Sequence, residues 1–122
     1  MAHSLVLNPM AQRTKSLAAP RRYVQGPGVI GEIGAHIASF GGKKGVLLGG
    51  KGALASCKDA IAKSCQNAGI SLIVEQFGNP AKVKYGPECC MAEIDRIANL
   101  AKTNGCNTII SAGGGTAIDT GK

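Results

Sequence analysis

The chain has 122 residues, 44% hydrophobic and 17% charged, with 18 glycines and a formal net charge of +7. That length holds one small core and excludes a cofactor domain joined to a full catalytic partner, and the composition excludes a disordered chain. The positive charge would attract a polyanion, but the lysines are dispersed and aromatics make up only 3%, so stacking platforms for bases are missing and a nucleotide cofactor is favoured over nucleic acid. In chain order, Arg13, Lys15, Arg21 and Arg22 precede the first acidic residue, Glu32. Residues 1–19 read as a basic leader: either a transit peptide for a mitochondrion or another organelle, or a disordered extension or a lead into the first strand of a cytoplasmic protein. No stretch approaches the roughly 20 apolar residues of a membrane span, so no membrane partner is expected.

Residues 20–122 alternate between two periodicities. Ile30, Ile33, Ile37 and Phe40 recur at helical spacing and predict a helix over 29–40, closed by Gly41 and Gly42. Lys44 to Gly49 is a short apolar run bounded by glycines, the pattern of a strand buried on both faces. Leu54, Cys57, Ile61, Cys65 and Ala68 make a second helical stripe ending at Gly69, and residues 70–75 supply another strand. After a loop over 78–87 with two prolines, Met91, Ile94, Ile97, Ala98 and Ala101 form a third apolar face that closes near Asn104 and Gly105. A strand over 107–111 follows. Strands alternating with helices predict an α/β fold, a Rossmann-like doubly wound parallel sheet with helices on both faces.

The five cysteines, Cys57, Cys65, Cys89, Cys90 and Cys106, contain no CxxC pair and do not read as a zinc site. Cys57 and Cys65 fall on the apolar face of the second helix as ordinary core thiols, which favours a reducing compartment.

The closing stretch Gly113-Gly114-Gly115-Thr116-Ala117-Ile118-Asp119-Thr120-Gly121-Lys122 follows a strand and opens a helix at about Thr116. Glycines let a backbone approach a ligand, and the free N–H groups of a helix's first turn face anions. In a parallel sheet ligands lie at the carboxyl ends of the strands, so this turn and Gly49-Gly50-Lys51-Gly52 are expected to face one dinucleotide. Neither the GxGxxG nor the GxxxxGK[ST] spacing occurs. Thr116 has two readings, a helix cap through its hydroxyl or a pyrophosphate ligand, with Asp119 in the first turn favouring the dipole or fastening the loop from behind. The short last helix leads to the expectation that the chain is the front part of a larger enzyme.

Pro20-Arg21-Arg22-Tyr23-Val24-Gln25-Gly26, the helix over 29–40, Gln76-Phe77-Gly78, Glu93-Ile94-Asp95-Arg96-Ile97 and the GGGTAIDTGK close resemble, in this order, the N-terminal domain of glycerol dehydrogenases, a branch of the iron- or zinc-dependent polyol and alcohol dehydrogenases. The resemblance implies oxidation of glycerol to dihydroxyacetone, or of a related diol, by NAD, with a divalent metal, usually zinc, polarising the substrate oxygen. It also implies that residues 20–122 are an incomplete dinucleotide-binding domain, that the helical metal-binding domain is absent, and that the complete protein is a homo-oligomer. The metal ligands of that pattern, an aspartate and two histidines, lie beyond Lys122, so neither metal ligands nor catalytic residues are assigned here. His3 and His36 read as incidental solvent-facing histidines.

The cofactor-binding candidates are Gly50, Lys51, Gly113, Gly114, Gly115, Thr116 and Asp119. Gly114, Gly115 and Thr116 match the pyrophosphate loop of the resemblance and Asp119 the aspartate after it, although glycerol dehydrogenases usually carry lysine where Thr116 stands. Gly50 departs further, because the pattern has an aspartate there to hold the adenosine ribose. Without that charge NADP is open beside NAD: Lys51 reads as a partner for a 2′-phosphate or as a solvated turn lysine. Two alternatives to the glycerol reading stay open, a non-catalytic nucleotide-binding remnant and a superfamily member acting on glycerol phosphate or a simple alcohol.

Overall fold

A computed structural model describes residues 21–122; the leader over 1–19 and His3 lie outside the described residues. Three parallel strands, β1 (Lys44–Gly49), β2 (Ser71–Gln76) and β3 (Thr108–Ala112), form a sheet in the order β2-β1-β3. Gly45 of β1 sits level with Leu72 of β2 and Thr108 of β3, and the register runs unbroken to Gly49, level with Gln76 and Ala112. The central position of β1 explains its continuous apolar run: a strand paired on both edges and covered on both faces has no solvent side. Val46, Leu47 and Leu48 are fully buried, each contributing about 1.5–3 kcal/mol relative to an exposed position.

Among the described residues four α-helices cover the sheet: α1 (Ile33–Ser39), α2 (Lys51–Asn67), α3 (Met91–Thr103) and α4 (Gly115–Gly121). Successive side chains of a strand point to opposite faces, and two cores result. Leu47 and Ile110 pack with Ile61, Cys65 and Ile70 beneath α1 and α2. Val46 and Leu48 pack with Phe77, Ile97 and Ala117 beneath α3 and α4. The doubly wound α/β arrangement expected from the two periodicities is the one observed.

Differences from the sequence reading have local causes. The first helix begins as a 3-10 turn, Val29–Glu32, before α1, and its expected apolar stripe is only half used: Ile33 and Ile37 reach the core while Ile30 and Phe40 stay exposed. Phe40 instead lies under the guanidinium of Arg22, 4.6 Å from the ring centre, a cation–π contact. His36 is half-buried rather than solvent-facing, because Arg22 donates to its Nδ1 at 2.8 Å and its Nε2 is enclosed with no partner among the described residues. Helix α1 ends as expected, with the Gly42 N–H on the Ile37 carbonyl and the Gly41 N–H on that of Ala38, a glycine C-cap.

Gly34 sets how closely α1 approaches α2. A Cβ there would collide with the Ser64 carbonyl, and the buried Ser64 hydroxyl accepts from the Gly34 N–H at 2.9 Å while donating to the Gly31 carbonyl at 2.7 Å. On α3 the expected face is rotated. Met91 and Ala98 are exposed, and Glu93, which the periodicity places among the polar residues, is fully buried beside Ile97.

Candidate functional site

The carboxyl ends of β1 and β3 lie side by side, with Gly49 level with Ala112, so the two glycine turns leave the sheet together. Gly50 caps α2 in an extended conformation and Gly114 caps α4 in the same way; neither helix has a side-chain cap. The first intrahelical bonds run from the Leu54 N–H to the Gly50 carbonyl and from the Ile118 N–H to the Gly114 carbonyl. The N–H groups of residues 51–53 and 115–117 therefore have no helical acceptor.

The packing of the turns brings the predicted positions together. Gly113 has φ +139°, a backbone region open to glycine, and a Cβ there would stand 3.4 Å from Cβ of Ala117 and 3.7 Å from Cβ of Ala53. The starts of α2 and α4 thus abut. At Gly50, Gly52, Gly114 and Gly115 a Cβ would meet nothing within 4 Å, so the bare backbone faces open space that side chains would otherwise occupy. Unpaired N–H groups around a clear space match the requirements of a pyrophosphate, and in this respect the chain fits a dinucleotide.

Two expectations for this turn are corrected. Thr116 is not the helix cap, because Gly114 holds that position; the Thr116 carbonyl accepts from the Thr120 hydroxyl at 2.8 Å. Asp119 is the fifth residue of α4 rather than a first-turn acid, and its carboxylate pairs with Lys122 at 3.2 Å on the exposed side instead of fastening the loop.

Lys51, the residue after Gly50, lines a cavity of about 520 Å³ between α2 and β2. Its walls include Leu54, Lys58 and Asp59 of α2, Val74 and Glu75 of β2, and Lys82 of the loop that follows β2.

Behind this cavity lies an ionic cluster that the periodicities do not reveal. Glu93 accepts from the Tyr85 hydroxyl at 2.6 Å, from Arg96 Nε at 2.7 Å, from Arg96 Nη2 at 2.8 Å and from the Gly78 N–H at 2.7 Å. Arg96 also reaches Glu75 at 2.5 Å and the Gln76 carbonyl at 3.2 Å, and Lys82 donates to both oxygens of Glu75, at 2.8 and 3.0 Å. The end of β2, the loop over 77–90 and α3 are tied at one point. Burial pushes the Glu93 carboxyl up, but the bonds from Arg96, Tyr85 and Gly78 outweigh it and hold the group down at about 2. Glu75 is lowered in the same way, burial being outweighed by Lys82 and Arg96, whereas burial and the Glu93 carboxylate raise Tyr85. A signal for this cluster exists in the sequence: Glu75 follows the apolar run Leu72-Ile73-Val74 within a strand, where a buried charge requires a partner, and Glu93 and Arg96 stand three apart on one helix.

The cysteines are free thiols; Cys65 is fully buried and its thiol is raised by that burial. Among the described residues no cluster of three or more His, Cys, Asp or Glu side chains is placed to hold a metal. A metal centre does not fit the residues described.

Residues 20–122 match the family of iron-containing alcohol dehydrogenases. The chain belongs to that family. It is 30% identical over 106 residues to a glycerol dehydrogenase of Escherichia coli O6:H1, covering 87% of this chain and 26% of that protein. It is 31% identical over 109 residues to a glycolaldehyde reductase of Halobacterium salinarum, covering 89% of this chain and 27% of that one. Among solved structures, an alcohol dehydrogenase from Oenococcus oeni superposes with a TM-score of 0.65 at 28% identity, over 80% of this chain and 24% of that one. An NADH-dependent butanol dehydrogenase from Thermotoga maritima shares the fold with a TM-score of 0.71 at 24% identity, over 88% of this chain and 26% of that one. This iron-containing alcohol dehydrogenase chain spans about a quarter of the length of the curated relatives it matches.

Proposed function

We propose that this chain forms the dinucleotide-binding part of a polyol dehydrogenase that oxidises glycerol, or a related small vicinal diol, to the corresponding hydroxyketone. The observation that carries this reading is the meeting of the two glycine turns, with Gly113 packed between Ala117 and Ala53 and the cap positions Gly50 and Gly114 open. The likeness to glycerol dehydrogenases over nearly nine-tenths of the chain supports the substrate class.

In this reading the backbone N–H groups of residues 115–117, with the Thr116 hydroxyl beside them, hold the pyrophosphate at the end of β3. Gly50 and Lys51 flank the adenosine side at the end of β1. Asp119 has a secondary part, keeping Lys122 on the outer side of α4. A nicotinamide held there would supply the acceptor for the hydride of the carbinol carbon, with the hydroxyl proton passing to solvent. The chain's own residues contribute binding and orientation, which fix the cofactor relative to the substrate. A metal, zinc or iron, belongs to the family expectation, but no step is assigned to it here.

The glycolaldehyde reductase relative supports two-carbon hydroxy compounds as neighbouring substrates. The test compares kcat/KM of the protein at its native length on glycerol, 1,2-propanediol, ethylene glycol, glycerol 1-phosphate and ethanol. Glycerol or another vicinal diol is expected to lead. Preference for ethanol or glycerol 1-phosphate would overturn the glycerol reading, and no turnover of any of them would favour a non-catalytic nucleotide-binding protein.

A further inference from the structure

The edge of the sheet opposite the glycine turns, about 20 Å away along β1, carries an excess of one charge. Each helix runs back against its strands, so the amino ends of β1 and β3 lie together with the ends of α1 and α3. Arg21, Arg22, Lys43 and Lys102 are exposed there and Lys44 is half-buried. None of the five has an ion-pair partner among the described residues. Lys102, in the last turn of α3, is favoured by the helix dipole, but the other four lie outside any helix. The chain's acids do not cancel this charge. Glu75 and Glu93 are buried in the ionic cluster, and Asp119 pairs with Lys122. Glu88 and Asp95 belong to the loop before α3 and to its first half, toward the opposite edge. Asp59 lies one turn before Lys63 on α2, so Lys63 is left out of the excess, and Glu32, one turn before His36, offsets at most one of the five cations.

These cations surround a small cavity of about 210 Å³ lined by Ile37, Phe40, Gly41, Gly42, Asn107 and Thr108. That volume is below the about 300–1,000 Å³ of small-molecule sites and suits one apolar side chain. Its rim is held by Asn107, whose Oδ1 accepts from the Lys43 N–H at 3.0 Å and the Lys44 N–H at 3.3 Å while its Nδ2 donates to the Gly41 carbonyl at 3.0 Å. On the other side Arg21 and Arg22 stand over the Phe40 ring, 5.6 and 4.6 Å from its centre. Arg22 is fixed through Nη1 alone, on His36 Nδ1 and Ser39 Oγ, so its Nε and Nη2 have no partner among the described residues. A guanidinium held flat on a ring presents its remaining donors edge-on, the geometry that takes a carboxylate. With its ring covered, Phe40 is neither a stacking platform for a base nor a wedge for a lipid surface, and the net charge of +7 opposes a second copy of the chain at a cationic face.

We propose that this edge docks an acidic peptide segment of another protein, with one apolar side chain in the cavity beside Phe40 and flanking carboxylates on Arg21, Arg22 and Lys43. The proposal is independent of the dinucleotide reading, because it uses the end of the sheet that the glycine turns do not reach. Exposed ion pairs are individually weak and screened by salt, so the apolar anchor sets the position of the segment and the charges set its preference for an acidic sequence.

The test is fluorescence anisotropy of the protein at its native length with a fluorescein-labelled peptide of alternating Glu and Asp around one central Leu, at low salt. The comparison probes are the same peptide with Ser for Leu, a single-stranded DNA oligonucleotide and phosphatidylserine vesicles. Saturable binding of the Leu peptide is expected, weaker by several-fold for the Ser peptide. Arg21→Ala and Lys43→Ala should each weaken it about two- to fivefold, the effect of one exposed ion pair. The double reversal Arg21→Glu with Lys43→Glu should weaken it at least about tenfold, whereas Lys84→Glu, in the loop at the opposite edge, should leave it within about twofold. Independently of any variant, the peptide should shift the NMR signals of the Gly41, Gly42, Lys43 and Thr108 amides. No binding, or amide shifts confined to other residues, overturns the proposal. Equal binding of the Leu and Ser peptides, or an equal loss in Lys84→Glu, reduces the contact to diffuse charge attraction and overturns the docking site. Tighter binding of the oligonucleotide or the vesicles overturns the assignment to a protein partner.

Discussion

The two regions at the carboxyl end of the sheet are built in opposite ways. At the glycine turns the working atoms are backbone N–H groups, side chains are missing where they would intrude, and a Cβ at Gly114 or Gly115 would meet only open space. At the ionic cluster the working atoms are side chains, packed so that Glu93 has no exposed surface and accepts four hydrogen bonds. One region leaves donors unpaired for a ligand; the other consumes its bonding capacity internally and anchors the loop that carries Lys82. A binding surface and its support thus divide the polar chemistry between them, since a fully satisfied cluster offers nothing to a ligand and an unsatisfied one cannot be buried cheaply.

Substitutions at three positions break or sharpen this contrast. The largest effect is expected from Arg96→Ala, which strands two buried carboxylates, Glu75 and Glu93, without their shared cation. Loss of a partner from a buried pair costs about 3–5 kcal/mol, so the urea midpoint should fall sharply. Arg96→Lys should recover only part of it, because one ammonium cannot reproduce the fork that reaches Glu93, Glu75 and the Gln76 carbonyl. A change below about 1 kcal/mol for Arg96→Ala would mean that the cluster is not the anchor described.

Next comes the pH dependence carried by Glu93. Its folded pKa, about 2, lies below the ordinary glutamate value, so the unfolded state binds more protons between the two. The stabilisation is present above about pH 4.3 and is lost as the pH falls through 2. Glu93→Gln, whose amide cannot accept from all four donors, should lower stability at pH 7 and flatten that acid limb. Denaturant titrations at several pH values check both, and an acid limb unchanged in the variant would assign it to other carboxylates.

The smallest effect on stability, and the most diagnostic for binding, is expected from Gly114→Ala. The backbone at Gly114 is extended and sterically ordinary for alanine, and its new methyl group meets no protein atom, so the fold should change by no more than about 1 kcal/mol. The methyl group would occupy the space proposed for the pyrophosphate, and dinucleotide affinity should fall about tenfold or more by calorimetry. Unchanged affinity would remove this turn from the site.

Much of the fold was legible because each element declares itself locally. The run Lys44–Gly49 reads as a strand buried on both faces, and it is one; the stripe of Leu54, Cys57, Ile61 and Cys65 reads as a buried helix face, and it is one. Glycines 113–115 mark a backbone that must come close to something, and Gly113 requires its φ of +139°. The ends were less legible. Ile30, Phe40 and Met91 fit their helical stripes but lie exposed, because periodicity says which residues share a face and not whether another element covers that face.

The sequence by itself determined the alternation of strand and helix, the doubly wound class and the two glycine turns, since period, turn chemistry and the absence of a Cβ are properties of neighbouring residues. The tertiary structure alone decided that Gly113 meets both helix starts, that Lys51 and Lys58 share a cavity, and that Glu93 is buried rather than solvated. The facts about Gly113 and Glu93 join residues 15 to 60 positions apart, and whether a charge is solvated or paired depends on which distant group folding brings within about 3 Å of it.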